Sequence, residues 1–168
     1  MTGRQRFEGK LSEVESLIVE MAKGTKQQLA DAVHALYEIN VEQAEEIVKN
    51  DELLDKLDRK INERVIVLIA REQPVATDLR RLVVAIRIAT DLERMADNAK
   101  NIAKATIRLG KDHGLEIHPS IDDMRAIAED MIVLAIKAYE NEDITLARKL
   151  GEMDDQLDRI YSHMMTDL

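Results

Sequence analysis

Residues 40–74 of the chain read NVEQAEEIVKNDELLDKLDRKINERVIVLIAREQP. Asn40 followed three residues later by Gln43 is typical of a helix N-cap with a capping box. Pro74 ends this helix, because proline disfavours helical geometry in the residue before it, and proline suits the first turn of the next helix. Between these limits the apolar residues recur every three or four positions and predict one buried face, made of Ala44, Ile47, Leu54, Ile61, Val65 and Leu68.

The same apolar spacing predicts a helix on each side of this stretch. A first helix covers roughly residues 5–39, and a third helix ends at Gly110. The apolar residues expected on the third helix are Leu79, Val83, Ile86, Ile102 and Ile107. Long helices joined by tight turns fold back on one another, so we expect an all-α protein that begins with an antiparallel three-helix bundle.

Composition narrows the function classes. The net charge is −9, and a basic surface is what nucleic-acid binding needs, so nucleic acid is not an expected partner. The chain has no cysteine, which excludes disulfides and thiolate chemistry. The first ten residues are polar and no apolar run reaches about 18 residues, so neither a signal peptide nor a membrane span is predicted. The expected location is the cytoplasm.

The sequence also contains an internal repeat. Shifting it by 103 residues, without a gap, aligns apolar positions, turn residues and two aspartates, so that Asp51 meets Asp154 and Asp55 meets Asp158. We therefore expect two copies of one helical unit. Their predicted extents are residues 1–110 for a three-helix repeat, 111–119 for a linker, and 120–168 for the first two helices of a second repeat, with a fifth helix starting near Asp143.

The second repeat is expected to be incomplete. Two helices on their own leave an apolar face uncovered, whereas helices bury such faces in stable folds. Either a partner covers this face or the natural protein continues beyond residue 168, and we favour continuation. The same face makes self-association as a homodimer an expected property.

Four acidic residues mark a candidate site. Asp51 and Asp55 lie one turn apart on the second helix, and Glu93 and Asp97 lie one turn apart on the third. The hairpin turns near Gln73, so both pairs are expected at the same height in the bundle. Clustered carboxylates repel unless a cation compensates them, and their oxygens suit Mg²⁺, Ca²⁺, Mn²⁺ or ferric iron.

Ordinary ion pairs are the alternative to a metal. A chain with 33 acidic residues contains such spacings by chance, and Arg59, Arg94 or Lys100 could neutralise the acids. Recurrence of the pair at Asp154 and Asp158 favours the metal. The histidines are scattered along the chain and form no ligand pattern; they are His34, His113, His118 and His163. No catalytic residue is predicted.

Three segments on the third helix carry a family resemblance. They are QPVATDLR at residues 73–80, IATDLERMAD at residues 88–97 and NIA at residues 101–103. Together they resemble the signature of the PhoU family of phosphate-uptake regulators. The resemblance covers the whole chain.

The resemblance implies tandem antiparallel three-helix bundles that bind metal ions or metal clusters through acidic motifs. By position the implied ligands are Asp51, Asp55, Glu93, Asp97, Asp154 and Asp158. The implied cofactor is a divalent or trivalent ion of Mg, Mn, Fe or Zn. Asn98 stands where the family often has histidine, and the second-unit counterpart of Glu93 would fall beyond residue 168, so the second site is expected to be incomplete.

The resemblance also implies a function. Similar proteins repress phosphate uptake and the phosphate-starvation response, acting without catalysis as adaptors between the ATPase subunit of a phosphate ABC transporter and a sensor histidine kinase. They are peripheral to the membrane through these partners only. Two other hypotheses stay open from the residues themselves: a metal-dependent enzyme that uses the same carboxylates, and an inert helical interaction module.

Overall fold

The computed structural model describes residues 2–141 together with Arg159 and Ser162. In this part of the chain four helices occur, α1 (Gly3–Glu38), α2 (Val41–Glu72), α3 (Ala76–Leu109) and α4 (Ser120–Glu140), and no strand. The expected all-α fold is confirmed. Of the predicted fifth helix, only Arg159 and Ser162 are among the described residues, and both are helical.

The first three helices run up, down and up. Arg6 at the start of α1 pairs with Glu72 at the end of α2 (Nε to Oε1, 2.7 Å), and Arg4 pairs with Asp78 at the start of α3. Ends that meet in this way make α1 antiparallel to α2 and parallel to α3. Packing therefore follows the hairpin arrangement that the short connections require.

Side-chain caps set the helix ends. At α1 the Gln5 N–H donates to Thr2 Oγ1 (3.1 Å) and the Thr2 N–H donates to Gln5 Oε1 (3.0 Å), so a capping box starts the helix two residues before the predicted position. Asn40 caps α2 as predicted, accepting from the Gln43 N–H (3.0 Å). The predicted return bond of the capping box, from the Asn40 N–H to the Gln43 side chain, is wrong, because Gln43 Oε1 contacts His34 Nδ1 instead (3.1 Å).

The turn between α2 and α3 differs from the prediction at one residue. Pro74 does not lie in the first turn of α3 but in the three-residue connection before it. Gln73 adopts a left-handed conformation (φ 44°) and Val75 an extended one. Reversing the chain uses all three residues, so the helix begins only at Ala76.

The buried face of α3 was also predicted wrongly in its first half. Leu79 and Val83 are 38% and 42% exposed, although Ile102 is buried as expected. The side of α3 that packs against its neighbours is rich in alanine and also contains Leu82 and Leu92; the alanines are Ala85, Ala89, Ala96, Ala99 and Ala103. Small side chains let three helices approach one another closely, and a search for large apolar residues overlooks such a face.

Close approach is also visible between α1 and α2. A Cβ atom added at Gly24 of α1 would lie 2.7 Å from Leu54 Cδ2 of α2, and Leu54 is buried. The absence of a side chain at Gly24 therefore allows this helix crossing. It lies near the level at which Asp51 points into the bundle.

The helix α4 packs mainly against α1 and adds to the same core. Tyr37 of α1 fixes the start of α4, because its hydroxyl donates to His118 O (2.7 Å) and accepts from the Asp122 N–H (3.3 Å). The largest fully buried side chains of the core include Leu11, Ile18, Leu36, Ile61, Leu92 and Met131.

Candidate functional site

The four acidic residues predicted on α2 and α3 come together in the structure. The Lys100 ammonium group contacts one carboxylate from each helix, Asp51 and Asp97. Burial raises the pKa of the Glu93 carboxyl group most, and the charges of Asp97, Asp58, Asp55 and Asp51 raise it further. Carboxylates on two helices therefore interact as one cluster, here called the acidic cluster and made of these five acidic residues.

The members of the acidic cluster differ in exposure. Asp51 is almost fully buried, at 4% exposed, whereas the Asp97 side chain is 52% exposed. Asp55 and Glu93 are half-buried between these extremes. The cluster thus extends from the helix interface to solvent.

A buried glutamine holds the innermost carboxylate. Gln28 of α1 donates through Nε2 to Asp51 Oδ1 of α2 (2.9 Å) and to the Ala96 carbonyl oxygen of α3 (3.0 Å). One amide therefore connects three helices. A buried carboxylate needs such donors, because an unpaired charge away from water is costly.

Lys100 of α3 supplies the positive charge. Its Nζ lies 3.4 Å from Asp51 Oδ2 and 3.9 Å from Asp97 Oδ1. Burial lowers the pKa of Lys100, but the charge of Asp51, its hydrogen bond, and the charges of Asp97 and Asp55 outweigh this effect, so the pKa lies above its ordinary value. The ion-pair alternative is thus realised by Lys100, whereas Arg59 pairs with Glu52 (2.9 Å).

Two other carboxyl groups have raised pKa values. Burial is the main cause for Asp55, followed by the charge of Asp51, and Lys100 opposes both. For Asp58 burial again raises the pKa, and a hydrogen bond from Asn62 lowers it. Raised values mean that the ionised forms are incompletely compensated.

Gln28 and Asp58 were missed by the sequence analysis. Asp58 lies seven residues after Asp51 and three after Asp55, on the same helix face, so a search at spacings of three as well as four residues would have found it. Gln28 shares the inner face of α1 with Met21 and Ala32. A long polar side chain on a mainly apolar stripe was the available signal.

The donor set of the acidic cluster suits a hard cation in its chemistry, since all its ligating atoms are carboxylate oxygens. In the described residues, however, no group of three or more histidine, cysteine, aspartate or glutamate side chains is arranged to hold a metal ion. The predicted ligands Asp154 and Asp158 lie outside the described residues. Among the described residues, the Lys100 ammonium group is the cation paired with Asp51 and Asp97.

The linker histidines take part in local hydrogen bonds. The Leu115 N–H donates to His113 Nδ1 (2.8 Å), and the Ser120 N–H donates to His118 Nδ1 (3.1 Å). These bonds shape the connection between α3 and α4.

Within residues 2–141, no helix combines the length and the apolar content that crossing a bilayer requires.

Comparison with known proteins identifies the family. Residues 18–106 and 121–168 match the PhoU domain. A protein of Aquifex aeolicus is 36% identical over 94% of this chain and 72% of its own length, and one of Clostridium acetobutylicum is 34% identical over 98% and 76%. Each is named "Phosphate-specific transport system accessory protein PhoU homolog".

Solved structures agree with this result. The crystal structure of PhoU from Pseudomonas aeruginosa superimposes with a TM-score of 0.79 at 27% identity, covering 96% of this chain and 78% of that one. PhoU from Streptococcus pneumoniae has the same fold, with a TM-score of 0.79. The resemblance seen in the sequence is confirmed, and this chain belongs to the PhoU family.

Proposed function

We propose that this chain is a negative regulator of phosphate uptake and of the phosphate-starvation response. The observation that carries the proposal is the match of residues 18–106 and 121–168 to the PhoU domain, together with relatives named as accessory proteins of the phosphate-specific transport system. An accessory protein of a transport system acts through that system, so regulation of phosphate transport follows more directly than a separate activity.

The proposed mechanism is contact without catalysis. The chain binds the ATPase subunit of the phosphate ABC transporter and a sensor histidine kinase, and shifts their conformational equilibria by preferring one state of each. Support comes from exposed apolar side chains on the α2–α3 hairpin, which are the kind of surface that partners cover. These side chains are Ile66, Val75, Leu79 and Val83.

The acidic cluster is proposed to bind a divalent or trivalent ion of Mg, Mn, Fe or Zn. Asp51, Asp55, Glu93 and Asp97 are the proposed ligands in the first repeat, and Asp154 and Asp158 are proposed for the second. Support comes from the donor chemistry, since all the ligating atoms are carboxylate oxygens, and from the raised pKa values of Asp55 and Glu93, which are caused first by burial and next by neighbouring carboxylates. The ion would add positive charge where the carboxylates repel one another.

Capture of purified partners tests the proposal. The immobilised chain, with Mn²⁺ or with chelator, is exposed to the transporter ATPase subunit and to the cytoplasmic part of the kinase. We expect both to be retained, and we expect Asp97→Ala to weaken retention in Mn²⁺. The control is Asp112→Ala, which removes an exposed aspartate from the linker.

The outcomes separate the three hypotheses. Retention of partners without hydrolysis of a phosphate ester by the Mn²⁺-loaded chain supports the adaptor. Turnover that Asp97→Ala abolishes would instead support the enzyme. If neither partner is retained under any condition and no turnover occurs, the inert module is the better account.

A further inference from the structure

Exposed aliphatic side chains form a stripe near the connection between α2 and α3. On α3, Leu79 and Val83 lie one turn apart and both are exposed. On α2, Ile66 is 62% exposed. It lies eight residues before Pro74, and Val83 lies nine residues after it, so the two side chains are at the same height on the antiparallel hairpin.

The stripe continues the two helix faces that carry the acidic cluster. Ile66 lies 11 residues after Asp55 on α2, which is about three helical turns, and Leu79 lies 14 residues before Glu93 on α3, which is about four. Asp55 and Glu93 interact across the two helices. The same faces further along the hairpin therefore also lie side by side, and the aliphatic side chains belong to one surface.

Two arginines border this stripe on α3. Arg80 and Arg87 are exposed and seven residues apart, so they lie on one edge of the helix, roughly 10 Å from each other along its axis. Neither makes an ion pair among the described residues, where the Arg80 side chain bonds only to Ala76 O (3.4 Å). By contrast, Arg81 pairs with Glu8 (3.1 Å). Although the chain has 33 acidic and 24 basic residues, these two guanidinium groups are left available to carboxylates of another molecule.

We propose that this surface, here called the hairpin surface and made of Ile66, Leu79, Arg80, Val83 and Arg87, docks an acidic amphipathic helix of a partner protein. The apolar side of that helix packs on the aliphatic stripe. Two of its carboxylates, seven residues apart, each accept a bidentate pair of hydrogen bonds from one arginine. The inference rests on the contact mechanism of the proposed function, and it specifies the surface and the kind of segment that this surface takes.

The charges near the hairpin surface favour a helix over a lipid bilayer. A bilayer that contacts Arg87 also approaches the acidic cluster, whose Glu93 and Asp97 follow on α3 within about three turns. Anionic headgroups and these carboxylates repel each other, since salt screens charges only beyond about 8 Å. A helix of three turns, about 16 Å long, covers the aliphatic stripe and leaves the acidic cluster uncovered.

Affinity measurements with the purified ATPase subunit and the cytoplasmic part of the kinase test the inference. Arg80→Glu/Arg87→Glu reverses both edge charges, and the matched control Lys104→Glu/Arg108→Glu reverses two exposed charges elsewhere on α3. We expect the first variant to bind at least one partner roughly tenfold more weakly than the wild type. The control, which has the same net charge, should stay within about twofold of the wild type. Added salt should weaken the wild type and narrow the difference between the two.

Two further variants test the apolar contact and identify the docked segment. Leu79→Ser/Val83→Ser should weaken binding roughly tenfold but keep its salt dependence, because the arginines remain. The chain has no cysteine, so Val83→Cys gives a single attachment point for a photo-crosslinker. The partner segment that it captures should be a helix with an apolar stripe flanked by aspartate or glutamate. Circular dichroism and thermal unfolding establish that each variant folds.

The outcomes separate the inference from the proposed function. If the wild type binds a partner and Arg80→Glu/Arg87→Glu binds it equally well, or if the control loses as much affinity, the inference is wrong and the proposed function stands. A crosslink to a basic or non-helical segment also overturns the inference. So does binding of the chain to phosphatidylglycerol vesicles, or a dimer in sedimentation, that the same double variant abolishes, because a bilayer or a second copy then occupies the surface. If the wild type binds neither partner, both proposals fail.

Discussion

Substitution of Gln28 by methionine tests how the acidic cluster is joined to the bundle. Methionine has a similar length and shape, so packing is retained while both hydrogen bonds of the Gln28 amide are lost, those to Asp51 Oδ1 and to Ala96 O. A hydrogen bond to a charged group contributes about 1.5–3 kcal/mol and one to a carbonyl about 0.5–1.5 kcal/mol.

The net loss of unfolding free energy should be about 2–4 kcal/mol, because methionine avoids the desolvation cost of the amide and so offsets part of these bonds. In a domain of this size each kcal/mol shifts the melting temperature by about 2–4 °C. Urea unfolding in chelator, followed by far-UV circular dichroism, measures the free energy directly.

The matched control is the neighbouring residue. Gln27 is exposed, and its side chain bonds only to Asp31 on the same helix among the described residues (2.9 Å). Gln27→Met should therefore change stability by no more than about 0.5 kcal/mol. If Gln28→Met falls in that same range, the buried amide does not hold the three helices together. A double-mutant cycle that combines Gln28→Met with Asp51→Asn should in addition give a coupling free energy of about 1 kcal/mol between residues 28 and 51.

Three further predictions concern packing, the α4 entry and pH. In urea unfolding, Gly24→Ala should lower the unfolding free energy by about 1–2 kcal/mol, because the new Cβ clashes with Leu54 of α2. Gly9 has open space around it, so Gly9→Ala should raise the unfolding free energy by about 0.5–1 kcal/mol. Tyr37→Phe should lower the unfolding free energy by about 1 kcal/mol and make the linker more susceptible to limited proteolysis. Tyr139→Phe should leave the unfolding free energy unchanged or raise it, because the buried Tyr139 hydroxyl has no partner among the described residues. The pKa of Glu93 is raised from 4.5 by burial first and by neighbouring carboxylates next, so its ionised form lowers native stability. In chelator, the unfolding free energy of Glu93→Gln should therefore rise relative to the wild type as pH increases above 4.5, by under about 1 kcal/mol after screening. An equal difference below that pH would contradict this account.

The helix boundaries could be predicted because a few residues restrict the backbone by themselves. Asn40 caps α2, Gly110 follows the end of α3, and Pro119 precedes α4, each where the sequence analysis expected it. Pro74 shows the limit of such signals. It ends a helix reliably, but the position at which the next helix begins depends on how the chain reverses between two packed helices.

The rotation of α3 could not be predicted in the same way. Spacing along one helix states which residues share a face, but not which face its neighbours choose. Leu79 and Val83 were predicted on one buried stripe, yet both are exposed while alanines fill the interface. For this reason the contact of Asp51 with Gln28 and the position of Lys100 follow only from the packed structure, whereas the burial of Asp51 follows from its place between Ile47 and Leu54 on the inner face of α2.

This rotation also explains why one cluster contains both a buried and an exposed carboxylate. Had the stripe of Glu93 and Asp97 faced the core, both would have been buried beside Asp51, at a cost that one lysine could not offset. Turning the alanine face inward leaves Asp97 in solvent and only Asp51 deep in the interface. Asp51, fixed by Gln28 and paired with Lys100, therefore serves mainly the fold, and the half-buried and exposed members are the ones that solvent reaches.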